Sequence, residues 1–208
     1  MLTVHLTGAR ATLLATLYGR ALDAEAADSI LRDTMSARAA RQLDVDVAKT
    51  GLRRGDPPAV ALRARHLDGW AREFLAAHLR ATALHLGCGL DTRVYRLDPH
   101  PGVRWYDVDF PDVIDLRRQL YPPRGGYEMV GSSVIDPSWL ERVPADLPVL
   151  VVAEGLVIYL TEDEGTALFR RIVDRFPGGQ FVFDALSRRG IRLQRFNRGI
   201  QAAGATVS

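Results

Sequence analysis

The sequence is poor in several residue types, and each shortage excludes a class of protein. Cys88 is the only cysteine in 208 residues, so no disulfide can form within the chain and no thiolate metal site is indicated. Lys49 is the only lysine, so arginine supplies nearly all of the 27 basic side chains. We therefore expect no bound metal ion and a reducing compartment, the cytoplasm.

The sequence also has a small net charge and no long apolar run. The net charge is +2, and the arginines are scattered among 25 acidic residues, which predicts no nucleic-acid partner. No apolar run approaches the roughly 18 residues that a membrane span needs. The N-terminus lacks the charged and apolar regions of a signal peptide. We expect no membrane partner.

Short apolar stretches alternate with helix-forming segments in the second part of the chain. The predicted strands are residues 83–86, 103–106, 127–130, 149–153 and 180–184. The predicted helices are a short one through Tyr95 and Leu97, then residues 112–120 and 161–176. This alternation predicts a parallel sheet flanked by helices, a Rossmann-like α/β fold.

A helical portion precedes this alternation. Three segments have helix-forming composition: residues 23–28, 35–47 and 59–79. Residues 51–58, rich in glycine, proline and charge, are predicted as a loop. A chain of this length suits one core. We therefore predict a single domain of residues 1–208, with a helical N-terminal lid or cap of residues 1–80 and a cofactor-binding core of residues 81–208.

A glycine-rich turn follows the first predicted strand of the sheet. Gly87 and Gly89 flank Cys88, and such a turn lets the backbone approach a ligand without a side chain in the way. Asp91 and Thr92 are good N-caps for the helix that follows. Strand, tight loop and helix in this order are typical of a nucleotide-type cofactor site.

Two acidic residues follow the next predicted strand. Asp107 and Asp109 are spaced by two, so their side chains point to one side if the strand continues. An acidic group there is placed to accept both hydroxyls of a ribose. The alternative is that both are ordinary strand-end turn formers.

A nicotinamide or flavin dinucleotide shares the glycine loop and the ribose acid. Its fingerprint needs a third glycine three residues after the second, where this chain has Thr92. Asp91 at the exit of the loop would repel a pyrophosphate, but it does not oppose the amino acid part of S-adenosylmethionine. The residues favour the methyl donor and keep a dinucleotide oxidoreductase as an alternative.

Segments along nearly the whole chain resemble the leucine carboxyl methyltransferase superfamily, and within it the O-methyltransferases of polyketide biosynthesis. The matching segments are Thr16–Leu22, Arg63–Asp68, Leu86–Arg93, Asp107–Pro111, Ser132–Leu140 and Ala153–Leu160. Jointly these segments are specific, whereas the glycine loop alone is not. The resemblance implies a class I methyltransferase fold and S-adenosylmethionine as the cofactor.

The same resemblance implies roles for individual residues. Arg63 would hold the carboxylate of S-adenosylmethionine, and Gly87 and Gly89 would pass its methionine part. Asp109 would bind the ribose, and Glu154 would face the methionine amino group. The alternative is that Glu154, next to Gly155, caps the following helix, where the helix dipole favours an acid.

Three further residues belong to the predicted site. Ser133 stands near the position where many relatives have an aspartate for the adenine amino group, and a serine there offers a weaker bond. Tyr159 borders the expected methyl position, so we predict that it positions the acceptor. A phenol or alcohol acceptor would also need a base, for which His66 and the Tyr159 region are candidates, whereas a carboxylate acceptor needs none. His85, inside an apolar strand, is predicted as a packed core residue.

The predicted sheet has five strands, whereas class I methyltransferases usually have seven, which implies that the C-terminal strands are missing. An uncovered edge strand invites association, so a homo-oligomer is among the expected states. The leading hypothesis is an O-methyltransferase acting on a carboxyl or hydroxyl oxygen of a small, polyketide-like acceptor. The alternatives are a truncated, non-catalytic remnant and a protein carboxyl methyltransferase, the latter disfavoured by the pattern Ser132–Val134.

Overall fold

The computed structural model describes residues 1–4, 12–50, 52 and 55–187. The chain divides into two compact units. Of the described residues, those up to residue 66 form the N-terminal unit together with residues 90–96, 186 and 187, and residues 67–89 and 97–185 form the sheet unit. The absence of two further C-terminal strands and the single-domain assignment both stay predictions, and the described residues end at 187.

The sheet unit contains the predicted parallel sheet, which is confirmed. Its strands are β3 (Ala81–Leu86), β4 (Val103–Asp109), β5 (Tyr127–Gly131), β6 (Val149–Ala153) and β7 (Gly179–Phe183). They lie in the order β5-β4-β3-β6-β7, and every neighbouring pair is parallel. The two strands before them, β1 (Leu2–Thr3) and β2 (Leu43–Asp44), form a separate parallel pair in the N-terminal unit.

Helices connect these strands. They are α1 (Thr12–Glu25), α2 (Thr34–Ala40), α3 (Asp56–Ala77), α4 (Arg93–Leu97), α5 (Pro111–Leu120), α6 (Ser138–Glu141) and α7 (Glu162–Arg175), with short 3₁₀ helices at Val47–Thr50 and Val157–Tyr159. Within the described ranges, no helix is both long and apolar enough to cross a membrane.

Burial explains why the central strands are so apolar. Every residue of β3 and β6 is buried, because each strand has neighbours on both sides and is covered on both faces. The edge strands β5 and β7 are partly exposed. The main apolar core of the sheet unit includes Leu84, Leu86, Val108, Val151, Trp139, Leu168 and Ile172.

The start of α7 shows how local sequence fixes an element. The Thr161 side chain accepts a hydrogen bond from the Glu164 amide, and the Glu164 carboxylate accepts one from the Thr161 amide. This capping box satisfies amides that have no partner within the first turn. It places the start of the helix one residue after the predicted start.

Two predicted helices of the N-terminal unit are wrong in part. Residues 23–28 end α1 at Glu25, because the Asp23 carboxylate accepts hydrogen bonds from the Ile30 and Leu31 amides and turns the chain. Residues 35–47 are helical only to Ala40, and Leu43 then pairs with Leu2. That pairing joins distant parts of the chain, so helix-forming composition could not reveal it.

A third boundary differs for a simpler reason. The loop predicted over residues 51–58 gives way to α3 at Asp56, with Pro57 and Pro58 in the first turn of the helix. Proline is tolerated there because the first amides of a helix have no intrahelical acceptor. Asp56 adds a negative charge at the positive end of the helix dipole.

A buried cluster of charges organises the N-terminal unit around Asp33. Its carboxylate caps α2 through the Ser36 amide at 3.0 Å and accepts the Thr92 hydroxyl at 2.7 Å and Arg96 Nη1 at 3.2 Å. The Thr92 carbonyl accepts the Arg96 amide, so Thr92 occupies the predicted N-cap position of α4. The Thr92 hydroxyl donates its hydrogen bond to Asp33. This bond connects the segment after the glycine loop to the start of α2.

Candidate cofactor site

Four predicted site residues lie where neighbouring strands of the sheet unit end. Gly87 follows β3, Asp109 ends β4, Ser133 lies two residues after β5, and Glu154 follows β6. The carboxyl ends of parallel strands meet at one edge of a sheet, which is where ligands bind in open α/β folds. The strand order β5-β4-β3-β6 therefore gathers these residues along a single edge.

Gly87 has a backbone conformation and surroundings that exclude a side chain. Its φ is 59°, in the left-handed region. An added Cβ would lie 2.9 Å from Leu156 Cδ1, and the Gly87 amide donates to the Val108 carbonyl at 2.8 Å. Only glycine can adopt this φ and avoid a clash with Leu156 without strain. The need for glycine here comes from the backbone conformation and from the packing of Leu156, and the approach of a ligand to this loop stays a prediction.

Gly89 and Asp109 are held together by a direct hydrogen bond. The Gly89 amide donates to Asp109 Oδ2 at 2.7 Å, and the Phe110 amide donates to Oδ1 at 2.7 Å. Burial raises the pKa of the Asp109 carboxyl above its ordinary value, although the two amides work in the opposite direction. Each carboxylate oxygen keeps a second lone pair for another donor, such as a ribose hydroxyl.

Asp107 has a different environment from Asp109, although both side chains leave the same side of β4. It is fully buried and accepts Trp105 Nε1 at 2.8 Å, the Tyr127 hydroxyl at 2.6 Å and a hydrogen bond with His85 Nδ1 at 3.0 Å. Burial alone would raise the pKa of the Asp107 carboxyl, but the Arg117 guanidinium, His85 and the Tyr127 hydroxyl hold it below its ordinary value. Asp107 is therefore held by partners within the protein, and the binding of a ribose stays a prediction for Asp109.

The same network settles the role of His85. The side chain is buried in β3, bonded to Asp107 and set edge-on to the Trp105 ring. The prediction of a packed core histidine is confirmed.

Arg117 is a residue of this region that the sequence reasoning did not single out. It lies on α5, fully buried, and its Nη1 donates to the Gly89 carbonyl at 2.8 Å. The signal was its place in the apolar stripe of α5, whose other buried members are Val113, Ile114, Leu116 and Leu120. An arginine in such a stripe needs buried acceptors, and these come from β4 and the glycine loop.

Ser133 and Glu154 are both half-buried at the same edge. The Ser133 hydroxyl has no hydrogen-bond partner among the described residues, so it is available to a ligand. After Glu154 the chain turns at Gly155, which has a φ of 65° and donates its amide to Asp184 at 2.6 Å. Glu154 does not cap the next long helix, because Thr161 does.

The remaining predicted residues are placed as follows. Tyr159 is half-buried in the 3₁₀ helix Val157–Tyr159 of the sheet unit. Arg63, half-buried, and His66, exposed, lie on α3 in the N-terminal unit. Their predicted roles toward the cofactor and the acceptor stay predictions.

The chemistry of the edge suits a ligand that carries hydrogen-bond donors. It combines bare glycine backbone, the Asp109 carboxylate, the Ser133 hydroxyl and the Glu154 carboxylate. These groups fit ribose hydroxyls, an adenine edge and an ammonium group. Two carboxylates are a poor environment for a pyrophosphate. The residues present therefore fit S-adenosylmethionine better than a dinucleotide.

Comparisons with known proteins agree with this fit. A family model described as leucine carboxyl methyltransferase matches residues 12–122. The tetracenomycin polyketide synthesis O-methyltransferase TcmP of Streptomyces glaucescens is 45% identical over 204 residues, which cover 98% of this chain and 76% of the relative. The S-adenosyl-L-methionine-dependent methyltransferase dpfgK of Gibberella zeae is 42% identical over 201 residues, which cover 88% of this chain and 67% of the relative.

One solved structure supports the fold. The N-methyltransferase NodS from Bradyrhizobium japonicum matches with a TM-score of 0.50 at 18% identity, over 72% of this chain and 83% of that chain. At this identity the likeness concerns the fold alone, and it agrees with the predicted class I methyltransferase architecture.

Proposed function

Because the chain belongs to the leucine carboxyl methyltransferase family, we propose that it methylates a carboxyl or hydroxyl oxygen of a small, polyketide-like molecule. Its class is that of an S-adenosylmethionine-dependent methyltransferase, and S-adenosylmethionine is the cofactor. Family membership removes the dinucleotide oxidoreductase alternative. The location in the cytoplasm and the homo-oligomeric state stay predictions.

The assignment of the cofactor site rests on one observation. The Gly89 amide donates a hydrogen bond to the Asp109 carboxylate, close to Gly87, which has no room for a side chain. In the proposal, Asp109 accepts the ribose hydroxyls, and the Gly87 and Gly89 backbone borders the methionine part. Ser133 contributes a hydrogen bond at the adenine end, where the serine offers less than the carboxylate of many relatives.

Two charged residues are assigned to the amino acid end of the cofactor. Glu154, which follows β6, faces the amino group, and an ammonium beside a carboxylate gains a charge-assisted hydrogen bond. Arg63 pairs with the carboxylate, for which a planar guanidinium offers two parallel donors. Both assignments extend the family resemblance to these two residues.

The chemistry asks little of the side chains. When bound, the cofactor supplies a sulfonium methyl that is already a strong electrophile. The chain must hold an acceptor oxygen in line with that methyl at about 3 to 3.5 Å. We assign this positioning to Tyr159. A carboxylate acceptor is ionised at neutral pH and needs no base, whereas a phenol or alcohol needs one, for which His66 is a candidate.

The relatives support the class of acceptor. The relative that shares 45% identity is described as acting in tetracenomycin polyketide synthesis, and it matches over nearly the whole of this chain. A small-molecule acceptor is therefore favoured over a protein carboxyl terminus.

Methyl transfer from labelled S-adenosylmethionine tests the proposal. The purified chain is incubated with a panel of aromatic polyketide carboxylic acids, their phenolic analogues and a peptide with a free C-terminal leucine. We expect labelled methyl ester or ether from at least one polyketide and none from the peptide. Transfer to the peptide alone would replace the proposal with protein carboxyl methylation. The Asp109→Ala variant is the control for transfer that depends on the cofactor site.

A further inference from the structure

Arg117 connects the glycine loop to the buried interior of the sheet unit. Its Nη1 donates to the Gly89 carbonyl at 2.8 Å, and its Nη2 donates to Asp107 and to the Tyr127 hydroxyl. Its guanidinium also lies over the Tyr121 ring, at 5.2 Å from the centroid. The side chain is fully buried, so its geometry is set by these partners.

Asp107 fixes the orientation of that guanidinium. The Asp107 carboxylate is itself held by Trp105, His85 and Tyr127, which come from three different strands. Because its own direction is determined, the carboxylate can accept Arg117 Nη2 in only one way. The other terminal nitrogen of the rigid planar fork then points at the glycine loop.

Side chains bind both backbone polar groups of Gly89, its amide and its carbonyl, and so restrict its conformation. Asp109 accepts its amide hydrogen at 2.7 Å, and Arg117 donates to its carbonyl oxygen. The φ of Gly89 is 48°, in the left-handed region. Because its amide and its carbonyl are both bound by side chains, these two hydrogen bonds fix the left-handed turn of the loop. A loop held in this way loses less conformational entropy when a ligand binds.

We propose that Arg117, oriented by Asp107, is a positioning residue that holds the Gly89 peptide in the conformation that binds the cofactor. The inference rests on the proposed function, since it assumes that the glycine loop borders S-adenosylmethionine. The proposal gives Arg117 no direct contact with the cofactor. It acts through Gly89, and through Gly89 on the carboxylate of Asp109.

The central test is the Arg117→Lys variant, titrated calorimetrically with S-adenosylhomocysteine. Lysine keeps the positive charge that Asp107 requires, but one ammonium cannot reproduce the fork that reaches Asp107 and Gly89 together. We expect the Kd to rise about tenfold or more, the effect of losing a hydrogen bond from a charged donor. Hydrogen exchange should accelerate at the Gly89 amide more than at the amides of β6.

Two variants control for a merely structural role. Arg118→Lys changes the neighbouring arginine of α5, which is exposed and pairs with Asp115. Ile172→Val removes one methyl group from the apolar core on α7 and lowers the unfolding free energy without touching a polar group. Both should leave the Kd within about twofold of the wild-type value. If Arg117→Lys does not fold, Tyr127→Phe, which removes one acceptor of the guanidinium, takes its place with a smaller rise in Kd.

The outcomes separate this inference from the proposed function. If the wild-type chain binds S-adenosylhomocysteine and Arg117→Lys binds it equally well, the positioning role of Arg117 is overturned. It is overturned also if Ile172→Val weakens binding as much. If the folded wild-type chain does not bind S-adenosylhomocysteine, the proposed function itself fails, and the role of Arg117 in cofactor binding fails with it.

Discussion

Asp109 accepts a hydrogen bond from the amide of Gly89 at 2.7 Å, which joins the end of β4 to the loop after β3. Two elements that are 20 residues apart in sequence thus form one surface. The Asp109 carboxylate is more than nine-tenths buried, and this bond gives it a partner within the protein. One lone pair of the carboxylate holds the loop, and others are left for a ligand.

Replacing Asp109 should therefore affect binding strongly. In Asp109→Ala the ribose loses its acceptor and Gly89 loses an anchor, so affinity for S-adenosylhomocysteine should fall by about 1.5 to 3 kcal/mol. Calorimetry measures this change. Asp115→Ala, which removes an exposed carboxylate on α5, is the matched control and should leave affinity unchanged. Equal affinities in Asp109→Ala and the wild type would remove Asp109 from the site.

Arg63 tests the part of the site that comes from the family resemblance. Arg63→Ala should weaken S-adenosylhomocysteine binding by about 1.5 to 3 kcal/mol, because the ligand carboxylate would lose a charged donor. Arg65→Ala is the control, since Arg65 is exposed two residues further along α3. A comparison with adenosine, which has no carboxylate, sharpens the result. If Arg63→Ala weakens both ligands alike, the residue does not bind the carboxylate.

Gly87→Ala should damage both the fold and the site. An alanine at a φ of 59° costs about 1 to 2 kcal/mol, and its Cβ would meet Leu156. Chemical denaturation measures the loss of stability. Gly165→Ala on α7, where an added Cβ meets nothing within 4 Å, should instead be neutral or stabilising by about 1 kcal/mol. A Gly87→Ala protein as stable as the wild type would contradict the described loop.

The parts of the fold that were predictable are those specified locally. The segment Val149–Ala153 is a continuous apolar run, and it forms a buried central strand with the predicted bounds. The strand Leu43–Asp44 could not be predicted, because its partner Leu2–Thr3 lies some 40 residues earlier and neither segment has a pattern of its own. Short strands of this kind depend on tertiary pairing.

In the candidate site, too, some features follow from local sequence and others depend on tertiary contacts. Glycines and acids at strand ends follow from spacing, so Gly87 and Asp109 could be singled out. The difference between Asp107 and Asp109 could not, because it depends on Arg117 and Tyr127 arriving from α5 and β5. Two aspartates on the same side of one strand thus have opposite pKa shifts, lowered for Asp107 and raised for Asp109.

This contrast predicts how stability depends on pH. The pKa of Asp107 is lowered in the folded chain, so its ionised form contributes stability that is fully present above the unfolded-state value of about 3.9. The contribution is lost as the pH falls through the lower folded-state pKa. Tyr127→Phe removes a hydrogen bond that lowers this pKa, so its unfolding free energy should fall less steeply on acidification. Urea unfolding over a pH series measures both slopes, and identical slopes would contradict the network.

The most direct test of the cofactor assignment is a calorimetric titration of the wild-type chain with S-adenosylhomocysteine, with NADH as the control. We expect S-adenosylhomocysteine to bind in the micromolar range, equivalent to about −8 kcal/mol, and NADH not to bind. A folded chain that binds NADH, or that binds neither ligand, would contradict the assignment of the Gly87, Gly89 and Asp109 edge to S-adenosylmethionine.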